Sequence, residues 1–285
     1  YLKLCIESIQ KNSKYNHEII PHVNVGTDGT LEYLKKNKIK FTYTKDNSGI
    51  CKGMNLASEK ANNEYILYAH DDFYFCPDWD DILKREIDKI GHNYFYLSGT
   101  MMNKGQIDFN CGNSVEEFDE KKFLSNYKKY NYYDFQGSTW APHIIHKDIW
   151  NQVNGFSEEF YPGTGSDPDL NMKLWKLGVR IFKGINDFKV YHFGSIVTRK
   201  YKGDSKTITE SGSRGGKIFL LKWGITIKFF RKFILRSDSK YKGELSAPIK
   251  NIDYYYNYIL SKLNFFYIKY IYNFRNKHKP RIINK

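Results

Sequence analysis

Four cysteines in 285 residues, Cys5, Cys51, Cys76 and Cys111, stand far apart and show no CxxC spacing. That excludes a thiolate zinc cluster, gives no disulfide framework and fits a reducing compartment. Also missing is any run of about 20 uninterrupted apolar residues, and no basic-apolar-small segment opens the chain. The reading is a cytoplasmic protein, soluble or peripheral on a membrane. What is plentiful is material for a core: 41% of the residues are hydrophobic and 17% aromatic. That suffices for one large domain with an appendage and excludes a disordered chain.

The net charge of +14 is not spread evenly. Residues 200–285 carry 20 Lys and Arg against 5 Asp and Glu, whereas residues 1–199 carry 25 against 26. All the positive excess therefore lies in the tail. The expected division is a catalytic domain at 1–199, a Gly/Ser/Lys/Thr-rich linker at 200–216 and a basic aromatic region at 217–285.

The front of the chain alternates helix and strand patterns every 10 to 15 residues, the signature of an α/β protein, with no internal repeat. Helical spacing runs over 2–10, 30–38, 53–61 and 79–90, and β-rich runs lie at 18–25 and 39–43. The mostly apolar run Tyr65 to Ala69 reads as a strand buried on both faces, and it ends in His70-Asp71-Asp72. Acids at a strand's carboxyl end sit where open α/β sheets place ligands. Mg²⁺ and Mn²⁺ prefer carboxylate oxygen and bridge protein acids to substrate phosphates, while a solvated turn or helix cap explains the same pair without a ligand.

Three further motifs carry chemistry. VGTDGTL, residues 25–31, is a Gly-rich turn into a helix, able to present backbone N–H groups to phosphate or to serve as an ordinary connection with Asp28 or Thr30 near the cap. In GTGSDPDLNMKLWKLG, residues 163–178, Pro168 suits the first helical position, so Asp167 reads as the N-cap and Asp169 as a first-turn acid. Leu170, Leu174 and Leu177 form its buried stripe and Gly178 its end. Finally, His192 closes an aromatic strand, where it reads as a packed core residue or a metal ligand.

Taken in order, VNVGTDGTLEYL, NSGICKGMNLA, EYILYAHDD, GSTWAPHIIHKDIWNQVNGFSEEF, GSDPDLNMKLWKLGVRI and VYHFG resemble the family-two nucleotide-sugar glycosyltransferases over about residues 1–195. The resemblance implies a GT-A fold, a Rossmann-like mixed sheet flanked by helices, here with a basic aromatic helical appendage. It implies a nucleotide-sugar donor, a glycan, lipid-linked or protein acceptor, and Mg²⁺ or Mn²⁺ as cofactor. By position, Asp72 and His192 take the metal, Asp167 is the base that deprotonates the acceptor hydroxyl with inversion, and Asp169 supports it. Asn24, Asp28, Lys52, Asn55 and Asp71 fall to the nucleotide sugar. Trp140, His143, Tyr161 and Trp175 are aromatic candidates for an acceptor pocket, with core packing as the competing reading.

This sequence departs from the family pattern. His70 replaces the first acid of the usual Asp-x-Asp, Ser166 replaces a Glu, Asn24 stands for an Asp and Met54 for an Arg. Tyr1 opens directly in a helix where such folds open with a buried strand, so the sequence reads as lacking that strand, with unpaired edges expected on its neighbours. In the tail, Phe219, Trp223, Ile227, Phe230 and Ile234 share one helical face and Lys217, Lys228, Arg231 and Lys232 largely another. That pattern fits a helix on an anionic membrane or one packed on the catalytic domain. The aromatic segment 252–274 is expected to join the same surface. A nucleic-acid-binding protein, a nucleotidyltransferase and a non-catalytic relative are the alternatives, though a near-neutral front half argues against nucleic acid.

Overall fold

The computed structural model describes residues 1–194, 205–237 and 239–272. Helix α1 (Leu2–Asn12) buries Cys5 and Ile6 and turns Lys3 and Lys11 to solvent, as its apolar spacing dictates. Strand β1 (His22–Asn24), helix α2 (Thr30–Lys36) and strand β2 (Thr42–Thr44) form a βαβ unit whose strands pair in parallel, His22 opposite Thr42. This pair forms a two-stranded sheet of its own.

Helix α3 (Gly49–Glu59) leads into β3 (Tyr65–Tyr68), β4 (Phe73–Phe75), α4 (Trp79–Ile90) and β5 (Phe95–Met102). After α5 (Glu120–Asn126) come β6 (Phe135–Gln136), β7 (His143–His146), α6 (Lys147–Gln152), α7 (Ser166–Leu177) and the long β8 (Ile181–His192). The tail adds α8 (Ser205–Trp223), a short α9 (Ile227–Phe229) that runs on as a π-helix to Leu235, β9 (Ser239–Lys240) and α10 (Ile252–Phe266). Seven strands form the main sheet in the order β3-β7-β5-β8-β6-β9, with β4 also paired to β8. Among the described residues only β5 and β8 run parallel within it.

The β5–β8 register breaks between Ser98 and Thr100, and Thr100 Oγ1 donates to the Ile185 carbonyl at 2.8 Å inside the break. Gly99 is required there, because a Cβ would lie 2.9 Å from the Phe188 carbonyl oxygen and 3.0 Å from Pro142. The core on either side is aromatic: Phe95, Tyr96, Phe182 and Phe188 are fully buried.

Three expectations are corrected and one open alternative is decided. Strand β3 stops at Tyr68 and alternates half-buried with buried residues, because it pairs only with β7 at the end of the sheet and is not covered on both faces. Gly165, at φ 87°, and not Asp167, caps α7, so Asp167 and Pro168 sit inside the first turn. Residues 205–216, expected as linker, are helical, while 200–204 lie outside the described residues. The stripe of Phe219, Trp223, Ile227, Phe230 and Ile234 joins the main hydrophobic core, and β9 extends the main sheet, so the tail packs as part of the domain.

Asp169 fixes that packing. It has no solvent exposure and accepts from Ser157 Oγ at 2.5 Å and Trp223 Nε1 at 2.8 Å, with Lys222 Nζ 3.0 Å away. A buried carboxylate needs such donors, since an uncompensated charge costs several kcal/mol. Among the described residues no helix is long and apolar enough to cross a membrane. Trp223→Phe removes one charge-assisted hydrogen bond and is expected to lower the unfolding free energy by about 1.5–3 kcal/mol in urea titration. A loss below about 0.5 kcal/mol would mean that α8 is dispensable to the fold.

Candidate active site

Strand pairing assembles the first half of the site. In the antiparallel β4–β8 ladder Phe73 faces His192, and the Phe193 N–H donates to the Asp72 carbonyl at 3.1 Å, which sets Asp72 beside the end of β8. His192 Nε2 lies 3.4 Å from Asp72 Oδ2, and ligand atoms of His70, Asp72 and His192 all lie within 4.8 Å of one another. The sequence reading took Asp72 and His192 as ligands but treated His70 as a departure that weakens the site. The structure brings His70 into the cluster. The strand ends at Tyr68 and Asp71-Asp72 turn, so it is the turn, which strand periodicity does not foretell, that brings His70 and Asp72 together.

The residues fit a divalent ion. His192 Nδ1 is 3.2 Å from the Lys104 carbonyl, which can only accept, so that nitrogen carries the proton and Nε2 keeps its lone pair. Nε2 is buried and makes no hydrogen bond. The His70 ring is stacked on Phe73 at 5.1 Å and meets the edge of Tyr68 at 5.2 Å. Burial lowers the His70 pKa against the opposing pull of Asp72, favouring the neutral imidazole that a metal needs. Asp71 is exposed, yet the cleft walls desolvate its carboxyl and Asp72 adds like charge, and both raise its pKa.

The second half of the site is Asp167. Its Oδ1 is buried without a hydrogen-bond partner, and desolvation alone raises its pKa to about 7. Tyr68 joins the two halves. Burial holds its phenol protonated, and behind burial come the charges of Asp167, Cys51, Asp71 and Asp72. Asp169, two residues on, faces Ser157, Lys222 and Trp223 instead of the cleft.

The nucleotide-side candidates divide. Asn24 Oδ1 accepts from the Ser48 N–H at 2.8 Å, Ser48 Oγ at 2.9 Å and Thr44 Oγ1 at 3.1 Å, so it ties the α3 loop to β1 and has only its amide NH₂ to offer a ligand. Asp28 accepts from the Thr30 N–H at 3.2 Å at the start of α2; its hydrogen bond with the Thr30 side chain, and then this one, lower its pKa, and its charge reaches Asp71. Lys52 is exposed on α3. Asn55 exchanges two hydrogen bonds of 2.9 Å with the Phe156 backbone and so pins the loop before α7.

Among the aromatic candidates, Tyr161 is 40% exposed and lies against Gly49, where a Cβ would come within 2.7 Å of its ring. Trp140 donates to the Gly99 carbonyl at 2.8 Å and packs edge-on to Phe135. Trp175 sits two turns along α7 from Asp167, stacked by the Arg180 guanidinium at 3.9 Å, and is not brought to the cleft. His143 is a buried core residue, 3.0 Å from Tyr96 Oη, with its pKa lowered by burial and then His70 to about 3.

No curated protein matches the sequence significantly. Solved structures do match in fold. S. aureus TarS 1-349 aligns at a TM-score of 0.54 and 15% identity, covering 99% of this chain and 72% of that one. The longer TarS chain is covered over 43% of its length. TarS 1-349 in complex with UDP-GlcNAc gives 0.53 at 14% identity, covering 98% and 72%. GalNAc-T7 with UDP, GalNAc and Mn²⁺ gives 0.51 at 13%, covering 96% and 54%. At such identities the likeness is one of fold, the GT-A mixed sheet flanked by helices. The sequence itself matches the model of Glycosyl transferase family 2 over residues 1–150, more than half its length, with the Gly-rich turn and the His70-Asp71-Asp72 strand end inside that span. The chain belongs to glycosyl transferase family 2.

Proposed function

We propose that the chain transfers a sugar from a nucleoside-diphosphate donor to an acceptor hydroxyl, with inversion and with the help of Mg²⁺ or Mn²⁺. The observation that carries this reading is Asp167, a desolvated carboxyl with an unpartnered buried oxygen and a pKa raised to about 7, whose charge acts on the same buried Tyr68 as those of Asp71 and Asp72, the latter a donor of the three-residue metal cluster. A base with a pKa near neutrality combines a useful ionised fraction with real proton affinity. Family membership and the UDP, UDP-GlcNAc and Mn²⁺ held by fold neighbours support a uridine diphosphate sugar as the donor.

In this reading Asp167 accepts the acceptor's proton as that oxygen attacks the anomeric carbon from the face opposite the leaving diphosphate. Asp72 and His192 hold the divalent ion, which when bound offsets charge developing on the diphosphate. Asn24 through its amide NH₂, Asp28, Lys52 and Asp71 line the nucleotide side. Tyr161, exposed beside Gly49 and Ile50, contributes a face on which an acceptor sugar stacks. Asp169 serves as a positioning group, holding the first turn of α7 on α8.

The tail carries a second surface. Along α10, Ile252, Tyr255, Tyr256, Ile259, Leu263 and Phe266 are more than half exposed, and Lys262 and Lys269 accompany them. We read this face as a contact for an anionic membrane, supported by the concentration of positive charge beyond residue 200.

Asp167→Asn is expected to reduce nucleoside diphosphate release at least about 100-fold while metal-dependent donor binding persists, whereas Asp72→Ala loses both. Wild-type turnover should rise with pH through about 7, because the base works only when ionised. Stability runs the other way. The folded acid holds its proton above the unfolded pKa, so stability declines as pH rises toward the folded value of about 7 and stays lower beyond it. Asp167→Asn should therefore melt higher than wild type at pH 8, and full transfer by this variant would remove Asp167 from the base role. For the tail, Tyr256→Ser with Leu263→Ser should cut co-flotation with phosphatidylserine vesicles at least about five-fold and leave the melt unchanged. Equal flotation with neutral phosphatidylcholine vesicles would contradict the electrostatic contact.

A further inference from the structure

The donor set at the strand end is unusual for a Mg²⁺ site. Hard Mg²⁺ takes oxygen ligands and usually keeps several waters, with one or two carboxylates and substrate phosphates completing its shell. Here the cluster offers two imidazoles and a single carboxylate. Imidazole nitrogen suits Fe, Ni, Cu and Zn best, and Mn²⁺, though it also takes oxygen, accepts imidazole more readily than the harder Mg²⁺; two imidazoles with one carboxylate form a set that binds such ions with positions left open. We propose that His70 is a third protein ligand and that it makes this site selective for a first-row transition ion such as Mn²⁺ over Mg²⁺, binding it before any nucleotide arrives. The inference rests on the metal-assisted transfer proposed above.

Geometry supports each donor separately. His192 is oriented by the Lys104 carbonyl at its Nδ1, which leaves Nε2 directed at Asp72. His70 is held between Phe73, stacked with its ring, and the edge of Tyr68. Rings fixed in this way lose little rotamer freedom on binding, so the site is largely preorganised. Three donors each about 2.1 Å from one ion lie about 3.0–3.6 Å apart; His192 Nε2 and Asp72 Oδ2 at 3.4 Å already have that spacing, and a cluster whose ligand atoms lie within 4.8 Å of one another closes with side-chain shifts of about 1–2 Å. A site with three protein donors has less need of a diphosphate to complete it than one with a single carboxylate. It therefore holds its ion in the free enzyme, and the diphosphate occupies positions that remain open.

The test uses the full chain and Mn²⁺ as the probe, followed by electron paramagnetic resonance without nucleotide. One Mn²⁺ should bind per chain, and Mg²⁺ should displace it only at about 100-fold higher concentration or more. Electron spin echo modulation should show nitrogen couplings from two imidazoles in wild type and from one in His70→Ala. That variant should weaken Mn²⁺ about 10–100-fold. His70→Asp, which restores an oxygen donor of smaller size, should narrow the preference for Mn²⁺ over Mg²⁺ at least about ten-fold, and circular dichroism melts confirm that both variants fold. Unchanged Mn²⁺ affinity or unchanged nitrogen couplings in His70→Ala would overturn the assignment. Mn²⁺ binding that appears only after UDP is added would overturn binding ahead of nucleotide while leaving the transferase reading intact. Failure to bind Mn²⁺ even with UDP, alongside metal-free sugar transfer, would instead overturn the metal-assisted mechanism.

Discussion

The site depends on how one strand is paired. Strand β8 hydrogen-bonds with β4, β5 and β6, and its last residue is opposite Phe73. Because side chains alternate with a period of two, a slip of one residue would turn His192 away from Asp72 and remove the cluster. The register is held by more than the ladder. Fully buried Phe188, Val190 and Tyr191 occupy the inner positions of β8, and the Asn103 amide and Phe193 N–H bind the backbone on either side of the site. Burial of large aromatics thus positions polar groups that could not fix themselves.

A second constraint couples the tail to the chemistry. Asp169 is two residues from Asp167 on the first turn of α7, and its partners come from α8 and from Ser157. Lys222 also pairs with Glu159 at 2.8 Å, so the loop before α7, the helix and the tail share one network. The positive excess beyond residue 200 is consequently not a detached charge. Some of it neutralises acids of the domain, while Lys262 on α10 and Lys269 just beyond it lie over aromatic rings of the tail.

Much of this was legible in the chain. Helix α4 runs over the residues its periodicity marks, and Gly178 ends α7 in a left-handed conformation as a glycine there should. The strand-end acids and His192 were found because spacing and order are local properties. What was not legible arose from partners distant in sequence. The stripe from Phe219 to Ile234 has the same pattern whether it meets lipid or protein, and only the sheet and α7 behind it decide between them. The role of Gly165 escaped for a similar reason: a Pro inside the first turn fits the second or third helical position as well as the first, and the preceding glycine takes the left-handed cap. Asp167 and Asp169 look alike in sequence because both are first-turn acids, and their difference is wholly one of surroundings.

That difference can be argued in magnitudes. A carboxylate at a helix N-terminus gains about 0.3–1 kcal/mol from the dipole, which lowers a pKa by less than one unit. For Asp167 burial acts the other way and raises the pKa from an ordinary 3.8 to about 7, so desolvation outweighs the dipole several-fold. Asp169 is buried more completely, yet Ser157, Lys222 and Trp223 replace the water it has lost. Two acids on one turn thus have different surroundings, one tied to the tail and the other left with the raised pKa that the proposed base requires. An uncompensated buried carboxyl lowers stability whenever it ionises, and ordinary packing gives no reason to keep one. Under the proposed transfer, its position on a helix fixed by its neighbour supplies that reason: an acceptor hydroxyl would be the partner the carboxyl lacks.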